Sequence, residues 1–322
     1  MMNGDLSILA EKYRPKKLDD VVGQEHILPY LKKFVENKNL PHLMFSGKPG
    51  VGKTTVAKAL ATEFYGKNWN KCFMEINASD DRGIDTVRDK IKGYARASIL
   101  DFPFKIIFLD EADSITPPAQ NALRRVIEMN SDECRFILSC NYPHKIIEPI
   151  IDRCVVFRFR SLHHTEINVM LKKIATEENI DINISALSTI AVLSNGSMRR
   201  ALNTLNILKI SKFKEITEDT IYDVTGYIDD TFVKTLLIGV EQGKIDAVDN
   251  QINKLLNVKT FSPKEIIESL ERLIKDSKVL TQKKKLKALS MLGDLEFRIS
   301  MGSDPEIQLK TYMCFLMNLW SE

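Results

Sequence analysis

The chain has 322 residues, with 46 lysines and arginines against 43 aspartates and glutamates, a formal net charge of +3. Its 44% hydrophobic content supplies two or three cores and excludes a disordered chain, while no apolar run approaches the roughly 18 residues that would suggest a membrane span. The first ten residues include Asp5 and lack both a basic head and a long apolar core, so they do not read as a secretory signal, and the protein is expected inside the cell. Five cysteines, at 72, 134, 140, 154 and 314, contain no Cys-x-x-Cys pair, which argues against a disulfide framework and a zinc site and in favour of scattered reduced thiols.

In chain order, residues 43–46, 72–77, 105–110, 135–141 and 155–159 are short, apolar or β-branched runs bounded by turn residues, and they predict five strands. Residues 54–65, 84–97 and 119–129 carry apolar side chains at spacings of three and four, which predicts helices between strands. Such alternation implies an α/β domain, a doubly wound parallel sheet covered by helices. After Arg160 only helical patterns continue, clearest at 165–178, 185–193 and 198–209. A boundary is therefore expected near residue 160. Gly226 with Asp229 and Asp230 interrupts the pattern again, giving expected domains 1–160, 161–226 and 227–322.

Directly after the first strand stands Gly47-Lys48-Pro49-Gly50-Val51-Gly52-Lys53-Thr54, a full phosphate-loop pattern that opens a helix. Gly47, Gly50 and Gly52 let the backbone curl so that successive N–H groups point at phosphate oxygens, and the helix N-terminus adds a favourable dipole. Lys53 is expected to reach the β- and γ-phosphates and Thr54 to ligate Mg2+. The run 105–111 ends in Asp110 and Glu111, two carboxylates delivered to the sheet edge where open parallel sheets bind ligands. Asp110 suits the Mg2+ shell, and Glu111 can polarise the attacking water. Asp110-Glu111-Ala112-Asp113 also spells the letters that name a helicase class, but only one sheet is expected and helices fill the rest, so the second motor domain of that class is missing.

These residues resemble the AAA+ ATPases, and specifically the small subunits of replication factor C, the sliding-clamp loader of archaea and eukaryotes. Glu11-Lys12-Tyr13-Arg14-Pro15, Val22-Gly23-Gln24, Asn77 to Gly83, Asn121-Ala122-Leu123-Arg124-Arg125 and Cys140-Asn141-Tyr142 stand in the family's order across about the first 210 residues. The resemblance implies a phosphate-loop sheet domain, a small helical lid and an all-helical collar, with ATP and Mg2+ as cofactors. It implies that Tyr13, Arg14 and Val22 pack around the adenine, although an N-terminal arm lying on the sheet would carry the same residues. It adds Thr55 to the nucleotide contacts, makes Asn141 the sensor of the γ-phosphate or attacking water, and makes Arg199 a second sensor in the lid. Arg153, in Ile151-Asp152-Arg153-Cys154, matches an arginine that acts in trans on a neighbouring subunit's nucleotide, with Asp152 replacing the family's serine.

Between Arg82 and Arg96 five cations face two acids, a local charge of +3. The resemblance sets Arg82, Arg88 and Lys92 against primer–template DNA, where phosphate contacts give sequence-independent binding; a solvated helix face is the plain alternative. Val87, Ile91 and Tyr94 form an apolar stripe at spacings of four and three that either meets the sliding clamp or packs into the core. Implied partners are a large subunit and further small subunits, in a pentamer, together with the clamp and DNA. Another AAA+ DNA-remodelling ATPase and a non-hydrolysing ring paralogue are the rival readings. Lys283, Lys284, Lys285 and Lys287 read as a solvated basic face.

Overall fold

The computed structural model describes residues 8–79, 90–94, 102–211, 213, 216–225, 230–258, 261–277 and 280–321. Five strands, β1 (Leu43–Ser46), β2 (Phe73–Asn77), β3 (Lys105–Asp110), β4 (Cys134–Cys140) and β5 (Val155–Arg158), make one parallel sheet in the order β2-β3-β4-β1-β5. The inner strands are buried on both faces, which is why they read as continuous apolar runs rather than alternating ones. Successive residues divide between two cores: Phe45, Ile106 and Phe108 point to one face, and Met44, Ile107 and Leu109 to the other. β5 pairs with β1 alone, and its edge position leaves Val155 and Val156 exposed.

The helix Lys53–Tyr65 covers the first face through Val56, Ala57 and Leu60, and Pro117–Met129 covers the second through Leu123, Val126 and Ile127. Pro117 and Pro118 stand in the first turn of the latter, where a missing N–H removes no helical bond. Strand ends differ from expectation by a residue: Cys72 closes a short helix, Trp69–Cys72, and Asn141 and Phe159 lie just outside β4 and β5. Of the helix expected at 84–97, residues 90–94 are described and are helical.

Three further helices, His164–Glu177, Ile184–Leu193 and Met198–Ser211, follow the sheet. The chain divides into two compact units after Ile216, and these helices lie in the same unit as the sheet. Backbone bonds explain the adhesion: Met198 N–H donates to the Gly50 carbonyl at 3.1 Å, and Leu162 N–H to that of Gly196 at 3.0 Å. In the second unit, helices Asp230–Glu241, Ile245–Asn253, Pro263–Asp276, Gln282–Ser300 and Pro305–Ser321 surround a core that includes Leu236, Ile252, Leu270, Leu292 and Leu316. Tyr312 is buried at its centre, its hydroxyl donating to the Ala288 carbonyl at 3.1 Å. No helix among the described residues is long and apolar enough to cross a membrane.

Candidate active site

β1, β3 and β4 end together at the carboxyl edge of the sheet, and each delivers a piece of one site. The loop after β1 turns through Gly50 at φ +78° and Gly52 at φ +102°, left-handed conformations that glycine adopts at no steric cost. Gly47 N–H donates to the Cys140 carbonyl at 3.2 Å, stitching this loop to the end of β4. Lys53 opens the following helix, where free backbone N–H groups and the dipole favour an anion. Its buried ammonium donates to the carbonyls of Gly47 (2.7 Å) and Lys48 (3.0 Å) and to Asn141 Oδ1 (2.9 Å). Burial pulls the Lys53 pKa below its ordinary value, and the nearby Asp110 charge opposes that shift.

Thr54 Oγ1 donates to Asp110 Oδ2 at 2.9 Å, bringing two hard oxygen ligands together. Asp110 Oδ1 accepts the Glu111 N–H at 3.0 Å, and Glu111 sits in the left-handed region at φ +54° with its side chain exposed. Asp113 holds the end of β4, its Oδ2 accepting the N–H groups of Asn141 (3.2 Å) and Tyr142 (3.0 Å).

One cleft collects these groups. Tyr13, Arg14, Val22, Gly50, Gly52, Lys53, Thr54, Thr55, Asp110, Glu111, Asn141 and Arg199 all line it, and Gly47 touches the site through its carbonyl to Lys53. Its apolar lining comes from Pro15, Val21 and Val22 near the N-terminus and from Leu162, Met170 and Leu202 after the sheet. The lid's third helix begins directly over the loop: a Cβ on Gly50 would stand 2.0 Å from Ser197 Oγ. Arg199, one residue beyond Met198, reaches the cleft from there.

Arg153 lies apart from the cleft. Its guanidinium donates to the Pro149 carbonyl at 2.7 Å and pairs with Glu128 at 2.5 Å, a contact within its own chain. Arg82, Arg88 and Val87 fall outside the described residues, and Lys92 is half-exposed. For Ile91 the clamp assignment is corrected: its side chain is fully buried in the core beside Ile76 and Leu109, so it has no surface to offer a partner. Tyr94 packs partly against the same core, donates to the Lys71 carbonyl at 3.1 Å and carries the Lys105 ammonium 4.7 Å from its ring centre.

Three residues that the motifs left without a role hold the site together. Asp113 was legible only as a letter of the helicase-like run. Gln24 is fully buried and bridges to the end of the sheet, donating to the Arg160 carbonyl at 2.9 Å and accepting its N–H at 3.2 Å. Glu178 takes the Tyr13 hydroxyl at 2.7 Å and carries no sequence signal.

A parallel sheet in this strand order defines an AAA+ ATPase: a phosphate loop after one inner strand, an Asp-Glu pair after another, a sensor-like Asn between them, and a helical lid on the loop. Residues 43–162 match the model of the ATPase family associated with various cellular activities (AAA), 169–210 the RCF1/5-like AAA+ ATPase lid domain, and 228–314 the replication factor C C-terminal domain. Relatives include the replication factor C small subunit of Methanococcus vannielii, 43% identical over 94% of this chain and 96% of that one. Those of Archaeoglobus fulgidus (42%, covering 98% of each) and Saccharolobus solfataricus (42%, 94% and 92%) are similar. The chain belongs to the replication factor C small-subunit family. Among solved structures, the Thermotoga maritima RuvB Holliday junction branch migration motor shares the fold, with a TM-score of 0.55 and 17% identity over 80% of this chain and 91% of that one.

Proposed function

We propose that this chain is an ATP-hydrolysing small subunit of a replication clamp loader, which opens a ring-shaped sliding clamp of the PCNA type and loads it onto primed DNA. The observation that carries the reading is the convergence of Lys53, Thr54, Asp110, Glu111 and Asn141 at one sheet edge under a lid that begins on the phosphate loop. The residues fit Mg-ATP: a glycine-rich loop and a buried ammonium suit phosphates, and two oxygen ligands 2.9 Å apart suit a hard cation. Thr54 and Asp110 would hold Mg2+, which when bound neutralises charge on the β- and γ-phosphate oxygens.

In this mechanism Lys53 exchanges its carbonyl partners for phosphate oxygens, and Asn141, released from Lys53, turns toward the γ-phosphate and the attacking water. Glu111 orients that water and takes its proton. Arg199 registers the γ-phosphate from the lid, while Tyr13, Arg14, Val22 and Thr55 hold the rest of the nucleotide. Arg153 exchanges Glu128 for a neighbouring subunit's nucleotide, adding positive charge in trans. ATP then holds a subunit spiral together and hydrolysis releases it. Residues 227–322 serve as a collar between subunits, residues 161–226 as the lid, and Arg82, Arg88 and Lys92 track DNA phosphates. With Ile91 buried, the clamp contact of this segment rests on Val87 and Tyr94.

The test is the native mass and composition of the tagged chain recovered from its own cells with a non-hydrolysable ATP analogue. A five-subunit assembly with a larger relative, retaining the clamp, supports the reading. A ring of six identical chains without a clamp refutes it. In the assembly, Arg153→Ala is expected to lose ATPase activity while still binding nucleotide; unchanged turnover removes its role in trans.

A further inference from the structure

Glu178 stands just past the helix His164–Glu177, and only 7% of its side chain is exposed. Three donors converge on its carboxylate: the Lys209 ammonium on Oε2 at 2.7 Å, the Tyr13 hydroxyl on Oε1 at 2.7 Å and the Lys12 ammonium on Oε1 at 2.9 Å. Lys12 and Tyr13 belong to the N-terminal arm that lines the cleft. Lys209 ends the helix Met198–Ser211, whose first turns bring Arg199 and Leu202 to the same cleft. The arm and that helix also pack directly, through Leu9–Lys12. One carboxylate thus ties together two elements that both line the cleft. Hydrogen bonds to an ionised acceptor are shorter and stronger than those between neutral groups.

We propose that Glu178 is a positioning residue for nucleotide binding: it anchors the Tyr13 hydroxyl, so that the ring forms one wall of the base end. The inference rests on the reading of the cleft as an adenine-nucleotide site and adds a residue that no motif marks. Its consequence is confined to the base end. The phosphate loop makes no bond to Glu178, so a phosphate-only ligand is indifferent to it, whereas a ligand with a base depends on it.

The test compares ATPγS with inorganic tripolyphosphate, each with Mg2+, by calorimetric titration of the full-length chain. Glu178→Ala is expected to weaken ATPγS about tenfold and to leave tripolyphosphate within about twofold. Tyr13→Phe keeps the ring, loses the anchor and shifts ATPγS binding in the same direction. The double variant is no weaker than Glu178→Ala alone, because the bond that Tyr13→Phe removes is one of the three that Glu178→Ala removes. Should Glu178→Ala not fold, Glu178→Gln and Tyr13→Phe carry the comparison. Unchanged ATPγS binding in these variants, or equal weakening of both ligands, overturns the proposal. A native chain that binds tripolyphosphate as tightly as ATPγS would overturn the adenine reading itself.

Discussion

Alanine at Gly50 and at Gly52, introduced separately, distinguishes backbone strain in the phosphate loop from docking of the lid upon it. Both glycines are left-handed, at φ +78° and +102°, so each alanine costs about 1–2 kcal/mol in strain. At Gly52 an added Cβ meets no heavy atom within 4 Å, and strain is the whole cost. At Gly50 the Cβ would lie 2.0 Å from Ser197 Oγ and 3.1 Å from Ser197 Cβ, so the start of the lid helix must withdraw. Withdrawal threatens the Met198 N–H bond to Gly50 (3.1 Å) and the Ser197 Oγ bond from Arg200 N–H (3.3 Å), at about 1 kcal/mol each. Gly50→Ala is therefore expected to destabilise by about 3–4 kcal/mol, against about 1–2 kcal/mol for Gly52→Ala. The two tryptophans divide between the units, Trp69 against the sheet core and Trp320 against the helical core. Urea unfolding followed by fluorescence in a Trp320→Phe background consequently reads the sheet unit. Equal midpoints for the two alanine variants would refute the account of lid docking, as would failure of Ser197→Gly to narrow the gap.

Three further outcomes follow from the site. Glu111→Gln should bind ATP within about threefold of the native chain and hydrolyse it at least about 100-fold more slowly, since it keeps the shape and loses the base; single-turnover kinetics in the assembled complex check this, and an unchanged rate rejects Glu111 as base. Asp113→Ala frees the Asn141 and Tyr142 N–H groups, so hydrolysis should fall about 10- to 100-fold with little change in ATP affinity; loss of affinity instead would mean that Asp113 shapes the binding cleft. His42 accepts the Phe136 N–H at 3.1 Å, and burial, aided by the Arg135 charge, pushes its pKa down from 6.5 to about 4. The unfolded chain therefore takes up a proton that the folded one refuses. Its contribution is complete above pH 6.5 and is lost as pH falls from 6.5 toward 4. His42→Gln should flatten urea midpoints measured between pH 7.5 and 5, and an unaltered slope would exclude this histidine as the cause.

Local chemistry wrote much of this molecule into the sequence. The phosphate loop, the Asp110-Glu111 strand end and the five apolar runs depend on neighbours in the chain, so spacing and residue type were enough to place them within a residue or so. Which side of a helix meets the core is a different kind of question. The stripe of Val87, Ile91 and Tyr94 has the spacing of a docking face and of a buried face alike, and only the packed sheet consigns Ile91 to the core. That the helices after the sheet adhere to it was likewise invisible in local pattern, because the backbone bonds of Met198 to Gly50 and of Leu162 to Gly196 join residues remote in the chain. The roles of Asp113, Gln24 and Glu178 were not legible because their partners are remote: Tyr13 and Glu178 meet across 165 residues, and Gln24 and Arg160 across 136. Sequence by itself determined the chemistry available at the sheet edge, because motif residues act through adjacent backbone. Tertiary structure alone decided which carboxylate Tyr13 meets and which helix starts on the phosphate loop, because those choices are contacts that form only once the chain has closed on itself.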